Sequence, residues 1–427
     1  MTLTEAAKFS KKATKLFLLS VGLILTGWIV YNIINPSLGI PDDYLEPNNM
    51  CGIIDELTLN SLTISTPNTN FQVEMASGAI PKIAEVVNVY KYANPGHNLW
   101  GLEEAQMKAE ALGFTVSAYS RKGSTIYEWT DKDTNQTLTV DTANQNFTLT
   151  TDFANNNIDT LKQYLPNETD AKRIALNFLS QKNLLTSDYS DGYQVVIPIE
   201  VTANGEFREA ASIADSDLVR VDLFRYKDLI TVSPDLVDTN QIGSSLQEQL
   251  EQEKTTYVTT NGTEEEVKQY ATAVIADSPI LGNIQIYLGG NEYSNTSKPN
   301  VFAVNYVNWI IGDSPCGTYR LITPQAAVKR VQDREGYLVH LLEDEGDRLA
   351  TYEPKAVKNL TIFKVELVYL DLEEEQNYMQ PIYLISGEAE FDGGVYGEFY
   401  YYVPAVDYDV IPADAGTPQT TQDSTSN

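Results

Sequence analysis

Residues 16–34 read LFLLSVGLILTGWIVYNII and hold no charged side chain. As a helix rising about 1.5 Å per residue, the run would extend roughly 28 Å, the depth of a bilayer's hydrocarbon core. Lys8, Lys11, Lys12 and Lys15 precede it, and the next charged residue is Asp42. Trp28 and Tyr31 stand near its far end, where amphipathic rings favour an interface. Pro36 and Pro41 supply a stop. The expectation is one uncleaved N-terminal transmembrane helix in contact with membrane lipid. By the positive-inside rule residues 1–15 are cytoplasmic, and the body lies outside the cell membrane. A cleaved signal peptide is the competing reading. It calls for a shorter apolar core and a small-residue cleavage site, whereas Asn35-Pro36-Ser37-Leu38-Gly39 follows.

The chain has 427 residues, 42% of them hydrophobic, enough for two or three domains with real cores. Its net charge of −30 repels nucleic acid and anionic surfaces. Such acidity serves solubility, or binds cations or a basic partner. Cys51 and Cys316 are the two cysteines. In an oxidising compartment they could form a disulfide; two separate buried thiols is the other reading.

Periodicity sets the expected organisation. A linker over 35–56 carries Pro36, Pro41 and Pro47. Module one, 57–156, reads as strands at 57–65, 71–75 and 86–93, a helix at 101–112 stopped by Gly113, then a meander. The middle region, 157–312, opens with a helix from Thr169. A second helix is expected at 263–275, where Thr263 and Glu266 have capping-box spacing and Val267, Tyr270, Ala271, Val274 and Ile275 share a face. Module three, 313–410, begins with TPQAAVKRVQDREG (323–336): Thr323 as N-cap, Pro324 at the first helical position, Gly336 at the end. Residues 411–427 read as a disordered tail. The expected class is α+β: the N-terminal transmembrane helix, then two or three modules of antiparallel sheet with single packed helices.

Motifs for chemistry are sparse. His97 and His340 are far apart and belong to no paired metal motif. Asp131, Asp133 and Asn135 mimic the start of a calcium loop, but Gln136 replaces the glycine and Thr142 the closing glutamate. No nucleophile elbow, SxxK or phosphate loop occurs, so no catalytic, cofactor-binding or metal residue is named. In GEFYYYVPAV (397–406) Tyr400 and Tyr402 share a strand face. With Tyr396 they form a candidate binding surface for a peptide or glycan; sheet packing explains the same residues.

The stretches TPQAAVKRVQDREG, LTIFKVELVYL (360–370), MQPIYLISGEAEFDGG (379–394) and FYYYVPAV resemble PepSY-like and YycH/YycI-like extracytoplasmic modules of bacteria. EEAQMKAEALGF, IYEWTD and LTVD in module one look similar. The resemblance implies regulation by binding another envelope or membrane protein and carries over no catalytic residues. The expected function is a membrane-anchored extracytoplasmic binding or regulatory protein without catalytic activity. A structural or adhesive envelope component comes second, and a peptide- or glycan-acting enzyme third.

Overall fold

The computed structural model describes residues 47–416 except 67, 76–77, 81–84, 94–99, 116, 121–123, 154–163, 233–253, 261–262, 291–300, 313, 345 and 413–414. The leader, residues 16–34, His97 and most of the expected tail lie outside the described residues. Among the described residues no helix is long and apolar enough to cross a membrane. No described helix supports the single-pass, transmembrane and signal-anchor assignments, whose segment, 16–34, lies outside the described residues, and they are not carried further.

The chain divides into two compact units. Met1–Tyr44 with Thr259–Glu264 form the first, whose described residues belong to two strand ends. Leu45–Val258 with Glu265–Asn427 form the second, which carries everything below.

In chain order the elements begin β1 (Asn70–Val73), β2 (Val86–Lys91), α1 (Gly101–Leu112), β3 (Tyr119–Ser120), β4 (Ile126–Asp131), β5 (Gln136–Asp141) and β6 (Phe147–Thr151). Next come α2 (Glu168–Gln181), α3 (Ser187–Ser190), β7 (Tyr193–Val201), β8 (Phe207–Glu209), β9 (Leu218–Val232), β10 (Lys254–Thr260), β11 (Thr263–Ile275), β12 (Ile284–Leu288) and β13 (Val301–Tyr306). The last are β14 (Gly317–Arg320), α4 (Pro324–Gln332), β15 (Tyr337–Glu343), β16 (Val357–Leu370), β17 (Tyr378–Phe391) and β18 (Tyr396–Pro404).

The pairings give one antiparallel run, β8–β7–β9–β12–β13–β6–β5–β4–β3. A second run is β15–β18–β17–β16, with β1 added parallel to β16. β9 joins the two. Its first half pairs with β7 and β12, and its second half pairs with β11, whose end runs parallel to β16. β2 lies between β14 and the start of β17.

This corrects the expected α+β class of antiparallel modules. Eighteen strands form one connected mixed sheet system, with parallel pairs at β1–β16 and β11–β16. β6 pairs with β13, and β2 with β14 and β17, so distant parts of the chain share sheets. Local periodicity cannot show which strands pair; that choice rests on contacts far apart in sequence.

The helix expected at 263–275 is instead β11, paired antiparallel with β9 from Lys268 to Val274. Thr, Val, Tyr and Ile suit a pleated sheet, and a partner strand overrides a helical spacing. Ala273, Val274 and Ile275 are buried there.

The other helices follow their caps. The α4 N-cap Thr323 accepts a hydrogen bond from Ala326 N at 3.2 Å, and Pro324 opens the helix. Ala327, Val328 and Val331 bury its inner face against the β15–β18 side. Each valine contributes about 1.5–3 kcal/mol of burial. In α2 the cap is Asn167, one turn position before the expected start. Gly113 ends α1 with φ 105°, a left-handed turn that favours glycine. Ala105 and Ala109, with α2's Ala171, Ala175, Phe178 and Leu179, pack on the long antiparallel run. Leu102, although apolar and in the first turn of α1, is 46% exposed.

Candidate functional site

Residues 57–66 carry alternating leucines and hydroxyls, but in 57–73 only Asn70–Val73 enter a strand among the described residues, so the strand expected at 57–65 does not form. The rest is an extended strap fastened by single bonds. Tyr337 Oη donates to Leu57 O at 3.2 Å, and Leu62 N donates to Leu338 O at 2.7 Å. Ser61 Oγ accepts from Leu338 N at 3.0 Å. Further on, Tyr352 Oη donates to Thr63 O at 2.7 Å, and Thr66 Oγ1 accepts from Val357 N at 3.1 Å. Thr69 Oγ1 donates to Val357 O at 3.0 Å. Ser65 N also donates to Lys355 O at 2.9 Å, so backbone and hydroxyl bonds alternate along the strap in place of a continuous ladder.

A slot of about 200 Å³ lies under the strap. Leu62, Ile64, Phe71 and Leu338 give it apolar surface, the hydroxylic Ser61, Thr66 and Thr69 line it too, and Arg334, Gly336 and Tyr401 close the side formed by the turn after α4 and by β18. Phe71 and Tyr401 meet edge to face at 6.4 Å.

Arg334 holds the left-handed position just past α4, with φ 65°. Its N–H donates to Val331 O at 3.0 Å, and the next N–H, Glu335's, donates to Arg330 O at 2.8 Å. A helix exit of this kind favours glycine, and an arginine there costs roughly 1 kcal/mol of backbone strain. Gly336, expected as the stop, is needed for space: a Cβ there would lie 3.1 Å from Val331 and 3.3 Å from the Tyr401 ring.

Two polar groups in the slot are not engaged in fastening it. The Arg334 guanidinium has one long contact, Nη2 to Thr69 O at 3.5 Å, and no carboxylate partner among the described residues. Tyr401 is 6% exposed, and its hydroxyl makes no hydrogen bond among the described residues. Burial pushes that phenol up to about 12, while Arg334's charge pulls it down.

Arg334 itself is solvent-exposed, and the charges that are buried hold the fold together. Arg225, 2% exposed, reaches Asp371 at 2.6 Å and Asp188 at 3.2 Å. Asp371 also accepts from Tyr92 Oη at 2.7 Å and Asn283 Nδ2 at 2.6 Å. Burial holds the Tyr92 and Tyr189 hydroxyls far above the usual phenol value. Arg220 and Asp222 form a bidentate pair at 2.6 and 3.1 Å, with Gly282 N donating to Asp222. In the β4–β5 hairpin, Asp131 Oδ1 accepts from Asp133 N at 2.9 Å, so that acid serves the turn.

The tyrosine surface does not assemble. Tyr396 is 46% exposed, Tyr400 is half-buried, and Tyr402 is fully buried with its hydroxyl donating to Ala276 O at 2.8 Å. β18 alternates only as far as Tyr400; beyond it both faces are covered. Tyr400 instead packs beside His340 at 5.5 Å, and His340 Nε2 lies 3.2 Å from Glu398 Oε1. That contact holds the Glu398 carboxyl below its ordinary range. Tyr401, the neighbour facing the other way, is the tyrosine that reaches the slot. Its alternation with Tyr400 was legible; its cavity was not, because the strap comes from residues more than 300 positions earlier.

Cys51 and Cys316 are joined by a disulfide, with Cα atoms 5.1 Å apart. Around it Asn48 N donates to Thr318 O at 3.1 Å, and Tyr378 Oη donates to Cys51 O at 3.1 Å. The bridge pins the start of the strap's chain to β14.

No protein-family profile matches the chain. No curated protein matches it either. Among solved structures, an uncharacterized protein from Eubacterium rectale ATCC 33656 aligns over 79% of this chain and 88% of its own, at 10% identity and a TM-score of 0.34.

Proposed function

We propose that this protein works by binding a small ligand or ligand segment rather than by catalysis, in an oxidising compartment outside the cytoplasm. The observation that carries the reading is Arg334: a strained, solvent-exposed cation with no carboxylate partner among the described residues, beside the unengaged Tyr401 hydroxyl at a slot with apolar side chains on one wall. Strain retained at such a position is a mark of function. The Arg225–Asp371 and Arg220–Asp222 groups support the non-catalytic half, since their oxygens are taken up by buried structural partners. The Cys51–Cys316 bridge supports the compartment, because bridges of this kind persist where thiols are oxidised. The resemblance to binding and regulatory modules points the same way.

Thermal unfolding of the full chain with a panel of small acids, amides and inorganic phosphate tests this. A saturable rise in Tm is expected for at least one probe, and Ile64→Trp, which fills the slot, should abolish it while leaving the circular dichroism spectrum intact. A wild-type chain that no probe stabilises, or an equal rise in Ile64→Trp, would overturn the reading.

A further inference from the structure

We infer that the slot takes a monocarboxylate with a compact apolar body, its two oxygens shared between the Arg334 guanidinium and the Tyr401 hydroxyl. This rests on the binding reading above and adds the ligand's class. The polar inventory leads to it. Ser61, Thr66 and Thr69 are already bonded to Leu338, Val357 and the strap. What remains is one planar cation and one phenolic donor. A guanidinium matches a carboxylate in bidentate fashion, and charge-assisted bonds of this type are about twice as strong as neutral ones.

Charge counting favours a monoanion. One arginine neutralises one negative charge; a phosphate dianion would bring a second charge beside apolar walls with no cation to meet it. The walls set the other end of the ligand. Leu62, Ile64, Phe71 and Leu338 offer no polar side-chain atom, so the body that replaces water there is hydrocarbon. A space near 200 Å³ suits one aromatic ring or a chain of about six to eight carbons, given that a cavity of roughly 150 Å³ accepts benzene. The ring edge of Phe71 beside Tyr401 favours an aromatic body. The chain's net charge of −30 opposes any anion at long range. Beyond about 8 Å that field is screened at physiological salt, and the charge in contact is Arg334's. The acid could be a free aryl or alkyl acid or the C-terminus of a peptide ending in an apolar residue; the shared chemistry is the same.

Calorimetric titration of the full chain tests the class. The probes are 3-phenylpropionate, hexanoate, their primary amides, inorganic phosphate, and a tripeptide ending in phenylalanine with a free or an amidated C-terminus. Each free acid should bind more tightly than its amide, and the two sources separate by whether the tripeptide acid or phenylpropionate binds tighter. Arg334→Gln should weaken the acid by roughly 10- to 100-fold, and Tyr401→Phe by a smaller factor, with the amides less affected. Amides that bind as tightly as acids, or an Arg334-dependent preference for phosphate, would overturn the carboxylate assignment and leave the binding reading in place. Silence from every probe, acid, amide and phosphate alike, would overturn both.

Discussion

Arg225 and Asp371 lie 146 positions apart and meet at 2.6 Å with almost no solvent on either side chain. Arg225 begins the half of β9 that pairs with β11, and Asp371 follows the last residue of β16. The pair therefore sits where the two strand runs join. Asn308, Trp309 and Tyr189 complete the arginine's surroundings, at 3.4, 3.0 and 5.5 Å. Loss of Arg225 would leave Asp371 a buried lone ion, and loss of Asp371 would leave Arg225 only the more distant, partly exposed Asp188; desolvation then exceeds what the remaining partners return.

Asp371→Asn should therefore destabilise the chain by about 3 kcal/mol, read from the urea midpoint, since it leaves a buried guanidinium with Asp188 as its one carboxylate among the described residues. Arg225→Met paired with Asp371→Leu should recover much of that loss, because the charge left without its partner, Asp188, has 27% of its side chain in solvent rather than none. A double variant as unstable as the sum of the singles would show that the two do not act as a pair.

Reduction gives a second outcome. The Cys51–Cys316 bridge closes a separation of 265 residues. In the chain-entropy model such a closure is worth at most about 5–6 kcal/mol. Cys316→Ser should lower the unfolding free energy by a large fraction of this, and added reductant should then change nothing further. Unchanged stability on reducing the wild type would refute the assignment.

Lys108 predicts a pH dependence. Its ammonium lies 5.3 Å from the Phe147 ring centroid and donates to Gln145 O at 2.6 Å. Burial pulls it down from 10.5 to about 8. The folded state thus loses a proton that the unfolded state keeps between pH 8 and 10.5, so stability rises with pH across that window. The buried tyrosines, pushed up rather than down, do not ionise in its lower part. Lys108→Met should flatten the rise between pH 8 and 10, on the order of 2 kcal/mol in the wild type.

Glu398 gives a slope of the same sign at acid pH, but as a stabilising group. The hydrogen bond with His340 lowers its carboxyl, so its contribution is present above the ordinary carboxylate value and is lost as pH falls through the folded one. In a carboxyl-observed NMR titration Glu398 should ionise below 4.5, and His340→Gln should move it upward. No movement would remove the histidine as the cause.

Arg334→Gly separates stability from function. Relief of the left-handed strain should stabilise the fold by about 1 kcal/mol. The same change should abolish ligand binding at the slot, as judged by the loss of ligand-induced Tm shift. A variant that binds as well as the wild type would dismiss Arg334 as the contact.

Local pattern and tertiary contact divided the work between them. The caps at Thr323, the stop at Gly113 and the alternation through Tyr400 depend on residues within a few positions of one another, and each was legible in the sequence. The strand at 263–275 was not, because its spacing suits a helix until β9 lies alongside. The slot was hidden for the same reason: the strap near Ile64, the turn at Arg334 and the ring of Tyr401 come from three remote places. The amino-acid order by itself determined the acidity, the capped helices and the supply of strand-forming segments. Only the folded chain decided which strands pair, that Tyr402 is core while Tyr401 meets a cavity, and that Arg334 stands without a carboxylate among the described residues. Short-range sterics and hydrogen bonding set the former; burial and pairing between distant residues, which no local window contains, set the latter.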